Sequence, residues 1–526
     1  MTTLDDPWLR PVCAALTGLL AGYASLAVAE LVAALVRPES GPVTAVGGAT
    51  IDRTPAAVKE WAIRAFGQDD KAVLLLGIVA VLGLLAVALG LLALRHRRIA
   101  TAAVLVLGAV GAVAATSRPD STSWTDALPS PAGALVGAWL LHRLIGRLVA
   151  PPRTAPPGTP AAPGWDRRGF LVSAAAAAVA STGAGAAGRA LGGSRARDSA
   201  ASRAAIVLPP PHSPAPPVPR GAQLRVPGIS PFTTPNKDFY RVDTALVVPE
   251  VDATGWLLRI HGLGVRGPLT LSYRDLLRRE LVERDITLAC VSNEVGGPYV
   301  GNARWLGVRL ADLLQEAGVR PPSKGGPADQ LVSRSVDGMT LGTPVEEVMD
   351  GRDALLAVGM NGEPLPLDHG FPVRMVVPGL YGYVSACKWI EDIELTTFDA
   401  HDTYWVERRW AREAPVKTQS RIDTPRPFAR PGAGTVMVAG VAWAQHRGID
   451  RVELSVDGGP WQRADLAAED SRDTWRQWSV PWTATPGTHT LTVRATDGTG
   501  EVQTEKRTRT APDGASGRHS VVVTVE

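Results

Sequence analysis

Cys290 is a residue whose type and setting could do chemistry. It lies in ITLACVSNEVGG (residues 286–297), where an apolar run that predicts a strand ends and an Asn and a Gly pair follow. The chain of 526 residues holds three cysteines and no C-x-x-C pair, so a disulfide framework, a zinc ribbon and a c-type haem site of that form are not encoded. Cys290 could be a plain buried thiol, or it could pair with Cys387 in an oxidising compartment.

The length of the chain and its charge limit the classes of protein. At 526 residues it is too long for one ordinary domain, and at least two folded parts are expected. The net charge is +3, both signs are mixed, and no long Lys/Arg block occurs. The sequence therefore indicates no nucleic-acid partner.

Four apolar runs near the start of the chain predict a transmembrane bundle. The runs are residues 12–35, 72–94, 99–116 and about 132–150. The second run carries no charge and is long enough to cross roughly 30 Å of hydrocarbon. RHRR at residues 95–98 follows it, and such a basic cluster predicts a cytoplasmic end.

A paired arginine before a fifth, weaker apolar run resembles a twin-arginine export signal. In WDRRGFLVSAA, Arg167 and Arg168 precede Gly-Phe-Leu, and an Ala-rich stretch completes a signal-like segment at residues 165–191. A plain stop-transfer flank is the alternative. A fifth helix running outward would complete a transmembrane region at residues 1–191. The chain would then be a multi-pass protein of the cell membrane, with its remaining residues on the extracytoplasmic side.

Three further segments follow. Residues 192–235 are predicted to be a Pro-rich linker, because LPPPHSPAPPVPRG cannot form a packed core. Residues 236–430 mix short strands and helices without a Rossmann rhythm or a G-x-G-x-x-G fingerprint, which predicts an α+β domain. Residues 431–526 contain short alternating strands separated by DG, PG and TG turns, which predict an immunoglobulin-like β-sandwich.

Four stretches of the soluble part resemble the sulfite oxidase family of molybdopterin enzymes. They are TPNKDFYRVDT, LACVSNEVGG, VGMNGEPLPLDHGFPVRMVVPGLYGYVSACKW and GVAWAQHRGIDRVELSVDGGPW, and they span roughly residues 232–500. Chance agreement over the long third stretch is improbable. The resemblance implies a sulfite-oxidase-type catalytic domain that binds Mo-molybdopterin. It also implies an immunoglobulin-like domain that often mediates dimerisation, and hence a possible homodimer.

The resemblance also implies a set of site residues. The family holds molybdenum with one cysteine thiolate, a soft ligand that suits this metal, and Cys290 stands at that catalytic position. An anionic cofactor needs cations and hydrogen-bond donors around it. The matching cofactor-binding positions are Asn236, Arg241, Cys290, Asn293, His369, Arg374 and Lys388. A structural role is the alternative for His369, and an ion pair is the alternative for the two last cations.

The sequence departs from the family just after Cys290. Members that oxidise sulfite carry an Arg a few residues after the cysteine, whereas residues 291–295 are Val, Ser, Asn, Glu and Val. Three arginines in YWVERRWAR (residues 404–412) could compensate, or they could lie on a solvated helix face. We therefore expect oxygen-atom transfer on a small-molecule substrate, with S- or N-oxide reduction slightly ahead of sulfite oxidation.

The resemblance leaves the source or acceptor of electrons outside this chain. No cytochrome domain is attached, so electrons should pass to or from a separate partner, either a quinone-linked protein or a cytochrome. A non-catalytic, membrane-tethered binding protein on the same fold is the second interpretation. The presence of Cys290, His369, Arg374 and Lys388 favours the enzyme.

Replacing Arg167 and Arg168 with Lys is expected to keep residues 192–526 on the cytoplasmic side. The physical reason is that paired guanidinium groups, which an ammonium does not mimic, are what such a signal presents. Protease accessibility in spheroplasts measures the outcome, with Arg195→Lys/Arg197→Lys as the control. A doubly substituted chain that is still digested from outside would contradict the export signal.

Overall fold

The computed structural model describes residues 8–55, 58, 61–62, 65–66, 70–118, 121, 123–149 and 167–526. Two compact units are present, Met1–Asp198 with Ala245–Val248, and Ser199–Thr244 with Pro249–Glu526. The first two residues of the predicted export motif, the side chain of Arg167 and the basic flank beyond residue 149 lie outside the described residues.

The described part of the N-terminal unit is built of helices. They are α1 (Leu9–Val36), α2 (Pro42–Arg53), α3 (Asp70–Ala93), α4 (Arg97–Thr116), α5 (Pro129–Val149) and α6 (Arg167–Ala204). Five of the described segments are long and apolar enough to cross a membrane: Leu9–Val36, Lys71–Ala93, Arg97–Thr116, Trp124–Val149 and Arg168–Ala204. These segments correspond to the five predicted runs.

Small residues let the helices of this unit approach closely. Gly18 on α1 and Gly90 on α3 lie backbone to backbone, since an added Cβ at either would overlap a carbonyl oxygen of the other helix. Gly133 on α5 lies equally close to the Ser25 carbonyl of α1. Glycine contacts are typical where apolar helices associate without a hydrophobic driving force between them.

The α+β domain of the C-terminal unit contains two sheets. One has the order β2 (Leu269–Ser272), β1 (Leu257–Gly262), β10 (Ile390–Thr396), β5 (Gln330–Ser335), β6 (Thr340–Pro344). The other has the order β3 (Val282–Ala289), β4 (Val300–Arg309), β7 (Leu355–Met360), β8 (Glu363–Pro364), and β9 (Arg374–Val376) also pairs with β7. Strands β1 and β10 are parallel, and the neighbours β3 and β4 are antiparallel.

Short helices join these strands. They are α7 (Tyr273–Leu277), α8 (Leu310–Glu316), α9 (Val345–Met349) and α10 (Gly382–Ser385). The Ser272 side chain accepts a hydrogen bond from the Asp275 N–H, and the Asp275 carboxylate accepts one from the Ser272 N–H. This capping box fixes the start of α7 at Tyr273.

The C-terminal domain contains two antiparallel sheets. One has the order β11 (Gln419–Thr424), β12 (Gly434–Trp443), β16 (Arg476–Ala484), β15 (Asp465–Leu466). The other has the order β14 (Gln462–Arg463), β13 (Ile449–Val456), β17 (Gly487–Asp497), β18 (His519–Val525). Their buried faces share one core that includes Trp478, Val480 and Val493. The predicted multi-domain fold class is confirmed, and the immunoglobulin-like sheet begins at Gln419, before the predicted boundary at residue 431.

The predicted linker, residues 192–235, differs from the structure. Helix α6 continues to Ala204, and the Pro-rich segment after it packs on the C-terminal unit. Its backbone reaches the sheets, where the His212 N–H donates to the Leu281 carbonyl (2.7 Å) and the Thr234 N–H donates to Asn302 (2.8 Å). Phe232 is buried in the core. The spacer interpretation is corrected because proline prevents helix and sheet formation but does not prevent packing of an extended chain.

Candidate active site

Cys290 follows directly on β3, as the sequence predicts. Its N–H donates to the Tyr299 carbonyl (2.9 Å), and the Ser292 N–H points at its Sγ atom (3.4 Å). The Asn293 N–H donates to the Cys290 carbonyl (3.0 Å), and the Asn293 Oδ1 accepts from the Tyr299 N–H (2.8 Å). Asn293 therefore shapes the turn that presents the thiol.

Opposing effects act on the Cys290 thiol. Burial raises its pKa, while the hydrogen bond from Ser292 and the positive charge of Lys388 lower it, and burial prevails. The thiol is therefore protonated near neutral pH, and the Ser292 N–H would stabilise the thiolate if Cys290 held a metal. Cys290 and Cys387 are both free cysteines, so the disulfide alternative is not realised.

His369 is anchored by the backbone of Asn236. The His369 Nε2–H donates to the Asn236 carbonyl (3.0 Å), because a carbonyl can only accept. Burial lowers the pKa of His369, so the ring is neutral. Its Nδ1 atom is buried without a hydrogen-bond partner among the described residues. An unpartnered buried acceptor indicates a group that the site is built to receive.

Arg374 lies on β9 beside His369. Its Nη1 donates to the His369 carbonyl (3.1 Å), and its guanidinium stands 5.0 Å from the centre of the Trp305 ring. Burial lowers its pKa to about 10, so it stays charged at neutral pH. Its Nε–H is buried without a partner among the described residues. A buried, charged donor with a free N–H suits an anionic group.

Lys388 is paired with a residue that the sequence analysis missed. Its Nζ lies 2.7 Å from Asp243 Oδ2, and Arg241 Nε lies 2.9 Å from the same oxygen. The Lys388 side chain is 9% exposed, and burial lowers its pKa to about 8 despite the carboxylate. No sequence rule connects position 243 with position 388, so only the fold shows this pair.

One glycine brings two cations together. Gly370 adopts a φ of +109°, and an added Cβ would stand 3.0 Å from the Cβ atoms of both Arg374 and Lys388. Both the left-handed backbone and the close packing require glycine. Asn236 contributes through its carbonyl, since its side chain bonds Glu363 (2.7 Å) and Asn361 (2.7 Å).

Tyr240 and Tyr381 were also missed by the sequence analysis. Burial and the Cys290 sulfur raise the pKa of Tyr240, while Arg374 lowers it. The Tyr240 hydroxyl lies 3.9 Å from the position that an added Cβ of Gly382 would take. Burial raises the pKa of Tyr381 to about 12, and Cys290 again contributes. Both phenols are therefore protonated, and the Tyr381 hydroxyl accepts a hydrogen bond from the Lys417 N–H (3.4 Å). Nothing in their sequence spacing indicates a link to Cys290.

Arg304, the next arginine after Cys290, and two of the three arginines in YWVERRWAR make other contacts. Arg304 makes a two-point ion pair with Asp285. Arg408 stacks 3.5 Å from the Tyr404 ring centre and donates to the Tyr404 carbonyl (2.8 Å). Arg412 pairs with Asp402 (3.0 Å). Residues 404–409 form turns, so the predicted solvated helix face is not present there. The contacts of Arg408 and Arg412 also do not support a compensating role at the site.

The residues present fit an anionic cofactor that carries a metal. A thiol with a sulfur-directed N–H is suited to a soft metal, and the cations and orphaned polar atoms beside it are suited to a charged, polar group. The structure brings Asn236, His369 and Arg374 into direct contact, and it joins Arg241 to Lys388 through Asp243.

Comparison with known proteins supports this interpretation. The family model described as the oxidoreductase molybdopterin binding domain matches residues 245–405, and that of the bacterial Ig domain matches residues 419–493. Mitochondrial sulfite oxidase of Rattus norvegicus is 31% identical over 293 residues, which cover 47% of this chain and 53% of that protein. Sulfite oxidase of Gallus gallus is 31% identical over 318 residues, 52% of this chain and 68% of that protein.

A solved structure, the sulfane dehydrogenase SoxCD from Paracoccus pantotrophus, is similar with 26% identity and a TM-score of 0.48, covering 57% of this chain and 84% of that one. The chain spans about half the length of the mammalian relatives that it matches. The class that the family matches define is that of oxidoreductases with a Mo-molybdopterin cofactor. Within this class, the chain belongs to the sulfite oxidase family. It is therefore an enzyme, and the non-catalytic interpretation is set aside.

Asp243→Asn is expected to lower the free energy of unfolding of the cofactor-free chain by about 2 kcal/mol near neutral pH, because Lys388 and Arg241 lose their counter-charge. The pKa of Lys388 is lowered to about 8 in the folded chain, so Lys388 loses its proton at a lower pH there than in the unfolded chain. The cost of burying its charge therefore disappears as the pH rises. The loss should therefore be larger at about pH 6 than at about pH 9.

Denaturant unfolding of the detergent-solubilised chain, followed by Trp fluorescence, measures this difference. Asp399→Asn is the matched control, since the Asp399 side chain is 98% exposed and its pair with Arg412 contributes little. If the Asp243 variant were as stable as that control, Asp243 would not be stabilising the charges of Lys388 and Arg241.

Proposed function

We propose that this chain is a membrane-anchored, extracytoplasmic oxidoreductase that transfers an oxygen atom in a two-electron reaction, with S- or N-oxide reduction slightly favoured. The observation that carries the substrate class is the absence of a cation from residues 291–295 beside Cys290. The next arginine, Arg304, is held by Asp285 (2.6 Å) on the neighbouring strand.

The residues of the chain have separate tasks in this proposal. Cys290 supplies the thiolate ligand, and Arg241, Arg374 and Lys388 hold the negative charge of the cofactor. The Asn236 carbonyl fixes the tautomer of His369, so that Nδ1 would accept a hydrogen bond from the bound cofactor. When bound, Mo-molybdopterin supplies the redox and oxygen-transfer chemistry.

Substrate charge is the basis for preferring a neutral acceptor. A dianion such as sulfite needs cations at the reacting centre, because its charge must be compensated where water is excluded. The loop after Cys290 contributes Glu294 instead, and the Arg374 and Lys388 cations are assigned to the cofactor. The neutral hydroxyls of Tyr240 and Tyr381 suit an S–O or N–O group, which only needs hydrogen-bond donors.

Sulfite oxidation is the second candidate. It is favoured by the relatives, since the rat and chicken proteins are named sulfite oxidases. The same cofactor and the same thiolate would serve either direction, and the electron partner sets which one is used. That partner is proposed to be a quinone-linked protein or a cytochrome.

The proposed location rests on the five apolar helical segments and on the paired arginines at the start of α6. Positive clusters at residues 95–98 and 143–147 are expected on the cytoplasmic side. The catalytic domain would then face the extracytoplasmic space. A homodimer through the immunoglobulin-like domain is part of the same proposal.

Cys290→Ser is expected to leave the fold intact and reduce dye-linked activity to background, because the metal loses its protein sulfur ligand. Cys387→Ser is the matched control. Cys387 is also buried, but burial raises its pKa to about 12, so it stays a protonated thiol. Molybdenum analysis, thermal unfolding and activity are measured on the same preparations. Equal loss of activity in both variants would contradict the role of Cys290.

Steady-state assays of the purified chain with dyes as electron partners are expected to give a higher kcat/KM for S- or N-oxides than for sulfite. Methionine sulfoxide, trimethylamine N-oxide and sulfite serve as the three probes. A high kcat/KM for sulfite with no turnover of either oxide would reject the preferred substrate class and leave the second candidate.

A further inference from the structure

The turn after Cys290 touches the immunoglobulin-like domain at two successive glycines. Gly296 has a φ of +81°, and an added Cβ there would overlap the Cδ2 and Nε2 atoms of the His519 ring. The carbonyl of Gly297 accepts a hydrogen bond from Arg421 Nη1 (2.9 Å). His519 begins β18 and Arg421 lies on β11, so both contacts come from the sandwich.

Both contacting side chains are held in place. His519 Nδ1 accepts from the Ile422 N–H (3.0 Å), which orients the ring. Arg421 Nε donates to Asp423 (2.7 Å) and its Nη2 donates to Ser230 (2.9 Å). The Arg421 side chain is 11% exposed. Because these contacts restrict the two side chains, the side chains can in turn hold the backbone of the turn after Cys290 in place.

The strand before Cys290 is held by the same domain. The Thr287 N–H donates to the Asp473 carbonyl (2.9 Å), and Thr287 Oγ1 accepts from the Trp475 N–H (2.7 Å). Gln445 Nε2 donates to the Thr287 carbonyl (2.9 Å). The immunoglobulin-like domain therefore contacts the backbone on both sides of Cys290, at Thr287 and at Gly296.

We propose that Arg421 and His519 are positioning residues for the metal centre. They hold the turn at residues 291–298, and the turn sets the direction of the Cys290 sulfur and of the side chains next to it. The inference rests on the proposed role of Cys290. Such fixing matters because ligand geometry must hold within fractions of an ångström for the chemistry to proceed. The immunoglobulin-like domain thus acts on the site, whatever its role in dimerisation.

The test uses the full-length holoenzyme and the Mo(V) electron paramagnetic resonance signal produced by partial reduction with dithionite. Gly296→Ala pushes a methyl group against the His519 ring and is expected to shift this signal. Gly325→Ala is the matched control, because Gly325 has a φ of +74° with open space around it. The control carries the same backbone strain without the contact and should keep the wild-type signal.

Adding His519→Ala to Gly296→Ala is expected to return the signal towards that of the His519→Ala single variant, since the overlap is removed. A Gly296→Ala signal identical to wild type, or a shift that His519→Ala does not relieve, would overturn the inference. Arg421→Lys keeps the charge beside Asp423 but loses the reach to Gly297. It should shift the signal even if Gly296→Ala does not fold, and an unchanged signal would overturn the role of Arg421.

Molybdenum content separates this inference from the proposed function. Wild-type chain without molybdenum would overturn the proposed function, and the inference with it. Wild-type chain with molybdenum and an unshifted signal in the folded Gly296 and Arg421 variants would overturn the inference alone. Thermal unfolding of every variant identifies those that are folded.

Discussion

Burial of positive charge is the constraint on which the site depends. Arg374 and Lys388 are held within the domain, where an unpaired cation is costly. Asp243 compensates Lys388 and the Trp305 ring faces Arg374, while burial lowers the pKa of both cations. An anionic cofactor bound beside Arg374 and Lys388 would compensate their positive charge further.

Backbone geometry is the second requirement. Gly370 allows Arg374 and Lys388 to share one face, and Gly296 allows the turn after Cys290 to lie on His519. Both glycines have a positive φ, which other residues adopt at a cost, and at both an added Cβ would also crowd its neighbours. The same residue type lets α1 meet α3 in the N-terminal unit, although there it is close approach alone that excludes a side chain.

Much of the architecture follows from local signals. The alternating residues 255–262 include β1, the Ser272 side chain caps α7, and the turn-separated strands predicted after residue 430 form the sandwich, so each element is specified by local chemistry. The Pro-rich segment shows the limit of local reasoning. Its composition excludes a helix or a strand, but whether an extended chain packs depends on surfaces that lie elsewhere in the sequence, such as the Leu281 and Asn302 carbonyls.

The sequence by itself determined the apolar helices, the mixed domain, the sandwich and the single thiol at the end of β3, because periodicity, capping and residue type act over a few neighbours. Its resemblance to the family also predicted His369, Arg374 and Lys388 as cofactor-binding residues. The tertiary structure alone decided that Asp243 faces Lys388 and that Arg304 is bound to Asp285. Such pairings join distant residues, and burial makes their charges matter only once the chain has folded.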